Sequence, residues 1–558
     1  MAKCKPWQKC CCIFLVLICA AALVCLCIAT IVGAGCSGGF KHAAVAADSQ
    51  RCSDIGKEML LLGGSAVDGA IAALLCTSVV NPQSMGIGGG SILSIRSKTG
   101  NVTVYNFRET VPKSFKSDLL SDCPKEKKLT TGSQWIGVPG ELRGYEAVHK
   151  KYGKLPWAKL FEPTIKLARE GIPMPPFLSS LLNHPFVKAH VENSPLCEVL
   201  CNKNKVVLGK GEILKFPKLA ETMETIAQRG AEAFYNGSIG QDLILDIKNA
   251  GGTLSMEDLR SFKVQEQEAW TVLLGDIQMH VPPPPSGGPL LAFILKIMKD
   301  YFLTSNTSDP NGKIQMYHHY IEAVKFANGQ KKIIRDPNFN DQKRAKHLID
   351  PSFINRIRNM ISPNYTHENT YYNNVEPAPD NFGTTHVSVL DQNGLAVSAT
   401  STINHLFGGA VYSPRTGIIL NNELADFCNR VTTLQAGERP PSSMAPTILE
   451  SKSGRVFVIG GSGGSMITSA MALSIINHLW LGMSLQDAIA APIVFVDSEN
   501  TVNFEKGFEK DVTDGLRTYG HKVGDWPLFF NVVNAVEKES GCISAVSDRR
   551  KLGKSAGY

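Results

Sequence analysis

The chain has 558 residues, 43% of them hydrophobic and 19% charged, an ordinary globular composition and enough length to bury large cores without stapling. Its formal net charge is +7, part of it from Lys3, Lys5 and Lys9, and no basic run elsewhere is interleaved with aromatic residues. That pattern describes a mixed solvated surface and excludes a nucleic-acid footprint.

Residues Cys10 to Gly35 read CCCIFLVLICAAALVCLCIATIVGAG, without a single charge. About 20 apolar residues cross a bilayer, and this run exceeds the roughly 7–15 of a signal-peptide core. Lysines precede it, and none follows until Lys41. Residues 1–9 are therefore expected to form a cytoplasmic tail and 10–35 a signal anchor, with the remainder extracellular at the plasma membrane. Eight of the fifteen cysteines lie beyond the run, where disulfides can form. The sequons at Asn101, Asn236, Asn306 and Asn364 also lie beyond it and suit glycosylation of a luminal body.

HAAVAADS reads as a short buried strand. A helix capped by Ser53 and Asp54 is expected to run to about Leu62, where Gly63-Gly64 breaks it. A nearly all-apolar helix, Ala66 to Val79, follows and must be buried on most faces. Cys52 opens the first helix and Cys76 closes the second, so an antiparallel return predicts a disulfide between them. NPQSMGIGGGS, Asn81 to Ser91, lacks a P-loop lysine and precedes a strand, SILSIRS, which predicts closely packed backbone and not a nucleotide site. VTVYNFRE alternates; GELRGYEAVHKKYG, AKLFEPTIKLAREG and LAETMETIAQRGAEAFY read as helices. Cys197 and Cys201 stand at i and i+4, where a regular helix keeps Cβ atoms about 5–6 Å apart, too far for a disulfide. A small disulfide in a distorted turn is expected; no second Cys or His pair nearby completes a metal site. Nothing in the residues pairs Cys36, Cys123, Cys428 and Cys542. VPPPPSGG breaks the chain before the helix PLLAFILKIMKDYF.

Past Thr384 the character changes. HVSVLDQNGLAVSATSTI reads as two strands about a D-Q-N-G turn, GIILNNEL as another strand, and TILESKSGRVFVIGGSGG as a hairpin ending in glycines. The helix ITSAMALSIINHLWLG follows. The pattern predicts a layered α/β (α+β) fold with antiparallel sheets, without βαβ winding.

The runs GTTHVSVLDQNGLAVSATSTINHLFG, TGIILNNELADF, PPSSMAPT, GGSGGS and SDRRKLGKSAGY, with NPQSMGIGGGS, NFRETVP and VPGELRGY upstream, resemble gamma-glutamyltransferases. The resemblance extends from about His42 to Tyr558, and YSPRTGIILNNEL is most similar to the leukotriene-hydrolysing branch of that family. It implies the four-layer αββα sandwich of N-terminal-nucleophile hydrolases, made as one proenzyme that cuts itself between Gly383 and Thr384. The products would be a large subunit, 36–383, and a small catalytic subunit, 384–558, held as a heterodimer.

The same resemblance implies the site. Thr384 would be the nucleophile and its freed α-amine the base; an ordinary α-amine titrates near 7.7–8.0, so part of it is neutral at physiological pH. Thr402 would hold the nucleophile's hydroxyl, and Gly463 and Gly464 would offer N–H donors to the oxyanion. Arg108, Ser442 and Ser443 match the α-carboxylate ligands, and Asn404, Glu423 and Asp426 the α-ammonium ligands. A planar charged fork suits a carboxylate, and acids with an amide oxygen suit an ammonium. Leu406 departs from the pattern, standing where well-known members carry a tyrosine over the bound glutamyl group, and an apolar lid is expected there. The implied donors are glutathione and its S-conjugates, leukotriene C4 among them. The acceptors are water, amino acids or dipeptides, with no cofactor and no metal. An inactive surface scaffold that kept the fold is the alternative; the intact Thr384, Thr402 and Gly463-Gly464 set stands against it.

Overall fold

The computed structural model describes residues 36, 38–123, 131–304, 309–340, 343–374, 383–525 and 532–558. The expected tail and anchor, the sequon at Asn306 and the segment 375–382 lie outside these residues. No helix among the described residues is long and apolar enough to cross a membrane. Asn101, Asn236 and Asn364 are all exposed.

The buried strand β1 (Ala44–Ala46) leads into α1 (Gln50–Leu61) and α2 (Ala66–Val80). Helix α1 begins a turn earlier than the sequence suggests. Ser53 does not cap it; its hydroxyl accepts from the Ala47 amide at 3.1 Å and steadies the strand-to-helix turn. Ser65 caps α2 through a reciprocal box with Asp68, whose carboxylate accepts from the Ser65 amide at 2.7 Å. All 15 residues of α2 are buried, which is why its composition is apolar on every face. Cys52 and Cys76 are bonded where the two helices return on each other.

Two antiparallel sheets form the centre. The first takes β2 (Gly90–Arg96), β3 (Val102–Asn106), β4 (Gln265–Glu268), β7 (Thr385–Leu390), β8 (Ala396–Thr402) and β13 (Ala556–Gly557) together with β1, in the order β13-β1-β7-β8-β2-β3-β4. The second takes β5 (Trp270–Leu274), β6 (Ile277–Val281), β9 (Thr447–Ser451), β10 (Val456–Ser462), β11 (Val532–Glu539) and β12 (Cys542–Val546), in the order β12-β11-β10-β9-β6-β5. Small apolar side chains, among them Ala44, Ala46, Ala396, Val458 and Val536, fill the space between the sheets. Helix α2 covers the outer face of the first sheet, and α3 (Gly288–Thr304) and α4 (Ile467–Leu479) cover the second, giving helix–sheet–sheet–helix layers. His386 is buried between the sheets against Gly460, where an added Cβ would lie 2.1 Å from the imidazole. Its Nδ1 and Nε2 bond Thr400 and Ser388, and burial holds it neutral, its pKa lowered to about 3.

All eight cysteines among the described residues are paired. Cys197 closes on Cys201 because the helix ends at Leu200 and Cys201 turns to extended backbone, bringing the Cα atoms to 4.7 Å. Cys36 bonds Cys542 and Cys123 bonds Cys428, the pairs that the sequence left open. GIILNNEL is strand only at Ile418–Ile419. Asn421 pulls the chain off: its amide group donates to Gly88 and Gly137 carbonyls and accepts from the Glu423 amide at 3.0 Å. A 3-10 turn over Glu423–Phe427 follows. The helix expected over Leu219–Tyr235 is likewise split at Gly230, whose φ of +76° ends the first piece.

Candidate active site

Thr384 lies at the start of β7, in a conformation that β-branched residues avoid: φ is +80°, after Gly383 at +131°. Such backbone costs about 1–3 kcal/mol and persists only where its surroundings enforce it. Here the Thr384 amide donates to the Ser84 carbonyl at 3.1 Å, and its carbonyl accepts from Lys551 Nζ at 2.8 Å. Its hydroxyl donates to Thr402 Oγ1 at 3.2 Å, which also accepts from the Asn404 amide at 2.8 Å. The Gly383 carbonyl accepts from the Gly463 amide at 3.1 Å. A Cβ on Gly383 would lie 2.0 Å from the Asn404 carbonyl oxygen, so only glycine fits at this position. Thus the carbonyl of the Gly383–Thr384 bond is polarised by a backbone donor, and the hydroxyl beside it is oriented.

In front of Thr384 opens a pocket with about 340 Å³ of free space, part of it open to solvent. Thr384, Thr402, Arg108, Asn404, Glu423, Asp426, Ser442, Ser443 and Gly464 all line it. The sequence therefore names residues that the fold brings to one place from strands, turns and loops hundreds of positions apart. Arg108 follows β3 and is fully buried. Its Nη1 bonds Glu423 at 2.6 Å and its Nη2 bonds Asp426 at 2.5 Å, while Nε and Nη2 also donate to the Pro440 and Pro441 carbonyls. Burial would lower the guanidinium's pKa, but the two acids outweigh it and hold it charged. Burial, with Asp426 beside it, raises Glu423 against the opposing pull of Arg108. Asn404 donates through Nδ2 to the Asn422 carbonyl, so Oδ1 is the atom it offers to a ligand. Ser442 Oγ accepts from the Met444 amide at 3.1 Å, an arrangement that uses a lone pair and not its proton.

Gly463, at a φ of +113°, turns β10 into the short 3-10 stretch that starts α4, so the amide-rich end of a 13-residue helix faces the pocket. The close backbone expected of NPQSMGIGGGS is also here: a Cβ on Gly89 would lie 2.1 Å from the Thr402 carbonyl oxygen.

Other residues at the site were not singled out from the sequence. Arg430 lines the pocket. Behind Thr384, Lys551 Nζ bonds Asp48 at 2.8 Å and Ser462 at 3.0 Å. Glu141 is buried beneath β2 and β8, accepting from Ser91 and Ser401; burial raises its pKa to about 7. Away from the pocket, His318, Glu322 and His521 bring candidate metal-ligand atoms within 4.8 Å. Those rings are already occupied, His318 Nδ1 with His521 Nε2 and His521 Nδ1 with Lys325 Nζ.

Leu406 corrects the lid expectation. It is 7% exposed, belongs to the core beside the first sheet, and is not among the pocket-lining residues, because an isobutyl group gains more there than in a polar pocket. Leu406→Tyr is expected to overpack that core at a cost of about 1–3 kcal/mol. A lowered Tm with an unchanged ratio of transfer to hydrolysis is the expected outcome. An unchanged Tm with an altered ratio would return this side chain to the pocket.

A family model for gamma-glutamyltranspeptidase matches residues 52–558. The chain is 47% identical over 533 residues to glutathione hydrolase 5 proenzyme of Rattus norvegicus, covering 93% of each protein. Its fold matches a cephalosporin acylase from Bacillus halodurans with a TM-score of 0.81 at 23% identity, over 93% of this chain and 96% of that one. A Helicobacter pylori gamma-glutamyltranspeptidase matches with a TM-score of 0.51 at 27% identity, over 57% of this chain and 92% of that one.

Proposed function

The chain belongs to the gamma-glutamyltranspeptidase family, and from that premise we propose that it is a self-cutting ectoenzyme that cleaves or transfers the γ-glutamyl group of glutathione and its S-conjugates. The observation that carries the reading is the Gly463 amide on the Gly383 carbonyl, 3.1 Å away, beside a Thr384 hydroxyl oriented by Thr402. One apparatus can then serve both reactions.

In the first, Thr384 Oγ1 attacks the Gly383 carbonyl carbon and the Gly463 amide stabilises the oxyanion. The C–N bond breaks as the C–O bond forms, the departing nitrogen takes a proton, and water hydrolyses the ester. Thr384 then heads a new chain. In the second, its α-amine accepts the hydroxyl proton as Oγ1 attacks the γ-carbonyl of the donor, and returns that proton to the leaving amine. Water or an amino-acid or dipeptide acceptor then takes the glutamyl group from the threonine ester.

The donor's α-carboxylate meets Arg108, Ser442 and Ser443, and its α-ammonium meets Glu423, Asp426 and Asn404. The likeness of YSPRTGIILNNEL to the leukotriene-hydrolysing branch extends the donor class to leukotriene C4. The uncharged run 10–35 supports a plasma-membrane anchor, and four disulfides support an oxidising, extracellular location for the body. Steady-state kinetics with a γ-glutamyl anilide and with its 4-aminobutyryl analogue, which lacks the α-carboxylate, test the reading. Loss of at least about tenfold in kcat/KM for the analogue is expected. Equal values would point to an acylase of another acyl group.

A further inference from the structure

We propose that Lys551, paired with Asp48, is a positioning residue that holds the Thr384 backbone and keeps the freed α-amine neutral enough to act as base. This rests on the reading that Thr384 becomes a chain terminus.

The geometry is specific. Lys551 is 4% exposed, and its ammonium makes three close bonds: to the Thr384 carbonyl at 2.8 Å, to Asp48 Oδ2 at 2.8 Å and to Ser462 Oγ at 3.0 Å. It thus joins the residue that carries the nucleophile to the residue preceding Gly463. Asp48 is fixed in turn, accepting from the Thr385 hydroxyl at 2.7 Å and from Asn534 Nδ2 at 2.7 Å. The pair is therefore oriented, with its positive end on Thr384. Because the amine and the bonded carbonyl belong to one residue, covalent geometry keeps Nζ within roughly 6 Å of the amine.

A like charge at that range disfavours the ammonium form and lowers the amine's pKa. The pocket needs such a counterweight, because Glu423 and Asp426 are acids on the other side of Thr384 and would raise it. Arg108 and Arg430 line the same pocket, and Arg108 is already engaged with both acids. His386, two residues along β7, is held neutral, as burial also favours for His405 after Asn404. The buried Glu109 and Glu141 lie near the strand ends, and the buried Asp548, three residues before Lys551, is paired with Arg550; burial raises all three acids. None of these groups is changed in the variants below.

The test is the pH profile of kcat/KM for Lys551→Met and Asp48→Asn, with the small chain of each N-terminally sequenced. Lys551→Met removes the positive end and leaves the carboxylate, so the acidic limb should move to higher pH by about one unit. Asp48→Asn removes the negative end, so the limb should move to lower pH. Opposite shifts in variants cut at Thr384 are the expected result. A fall in activity without movement of the limb, or movement in the same direction in both, overturns the proposal and leaves a merely structural lysine. Should Lys551→Met remain uncut, the direction in Asp48→Asn alone decides, and failure of both to cut also overturns it. An unsubstituted enzyme that is not cut at Thr384, or that shows no acidic limb, would instead overturn the amine-base reading itself.

Discussion

Thr384→Ala is expected to give one uncut chain with no γ-glutamyl activity. A peptide bond survives unless a nucleophile is held against a polarised carbonyl, and both conditions meet at Gly383–Thr384. The Gly463 amide is 3.1 Å from the carbonyl oxygen, and the only hydroxyl on the residue after the bond is that of Thr384. Its removal eliminates the cut, the nucleophile for turnover and, by keeping the nitrogen in an amide, the base. Thr384→Ser keeps the hydroxyl and should still cut, more slowly, because the methyl group that restricts χ1 is gone. Thr385→Ala should also cut, since the Thr385 hydroxyl is committed to Asp48 at 2.7 Å. Denaturing electrophoresis under reducing conditions and N-terminal sequencing of the smaller piece read the result. An active, uncut Thr384→Ala protein, or a small piece beginning elsewhere, would remove Thr384 from the mechanism.

Arg108→Lys should lower kcat/KM by roughly a hundredfold although the charge is kept. The guanidinium reaches Glu423, Asp426 and two prolyl carbonyls at once. An ammonium has three donors on a single point and cannot span these four partners. Charge-assisted hydrogen bonds contribute about 1.5–3 kcal/mol each, so losing one or two with the docking of the α-carboxylate gives the stated loss. The network would favour a zwitterionic donor. A carboxylate alone would compete with Glu423 and Asp426 for Arg108, whereas the glutamyl group brings an ammonium to occupy those acids. Separate measurement of kcat and KM checks the variant, and a kcat/KM within about threefold of the parent would take Arg108 out of the binding site.

Much of this arrangement is legible in the sequence wherever a local rule decides. The nearly all-apolar run Ala66 to Val79 must be buried on most faces, and the helix Ala66–Val80 is buried throughout. HVSVLDQNGLAVSATST alternates about a turn and forms adjacent strands β7 and β8. Rules fail where a side chain bonds a distant backbone. Ser53 is spent on Ala47 and not on a helix cap, and Asn421 diverts GIILNNEL from a strand into the turn that carries Glu423 and Asp426. The site residues are legible through resemblance; without it nothing in the local pattern distinguishes Thr384 from any residue leading into a strand. Lys551 stayed hidden because it sits in a basic run, SDRRKLGKSAGY, where nothing local separates a buried ammonium from a solvated one. Asp48 becomes its partner only when the first and last strands of the first sheet close on each other.

The bonds Cys36–Cys542 and Cys123–Cys428 each have one end on either side of Gly383–Thr384. A chain cut there gains two termini without becoming two molecules. Association of the pieces stays unimolecular, governed by the effective concentration that two tethers impose and independent of dilution. Only in a reducing environment would the pieces depend on their shared sheets alone to remain together.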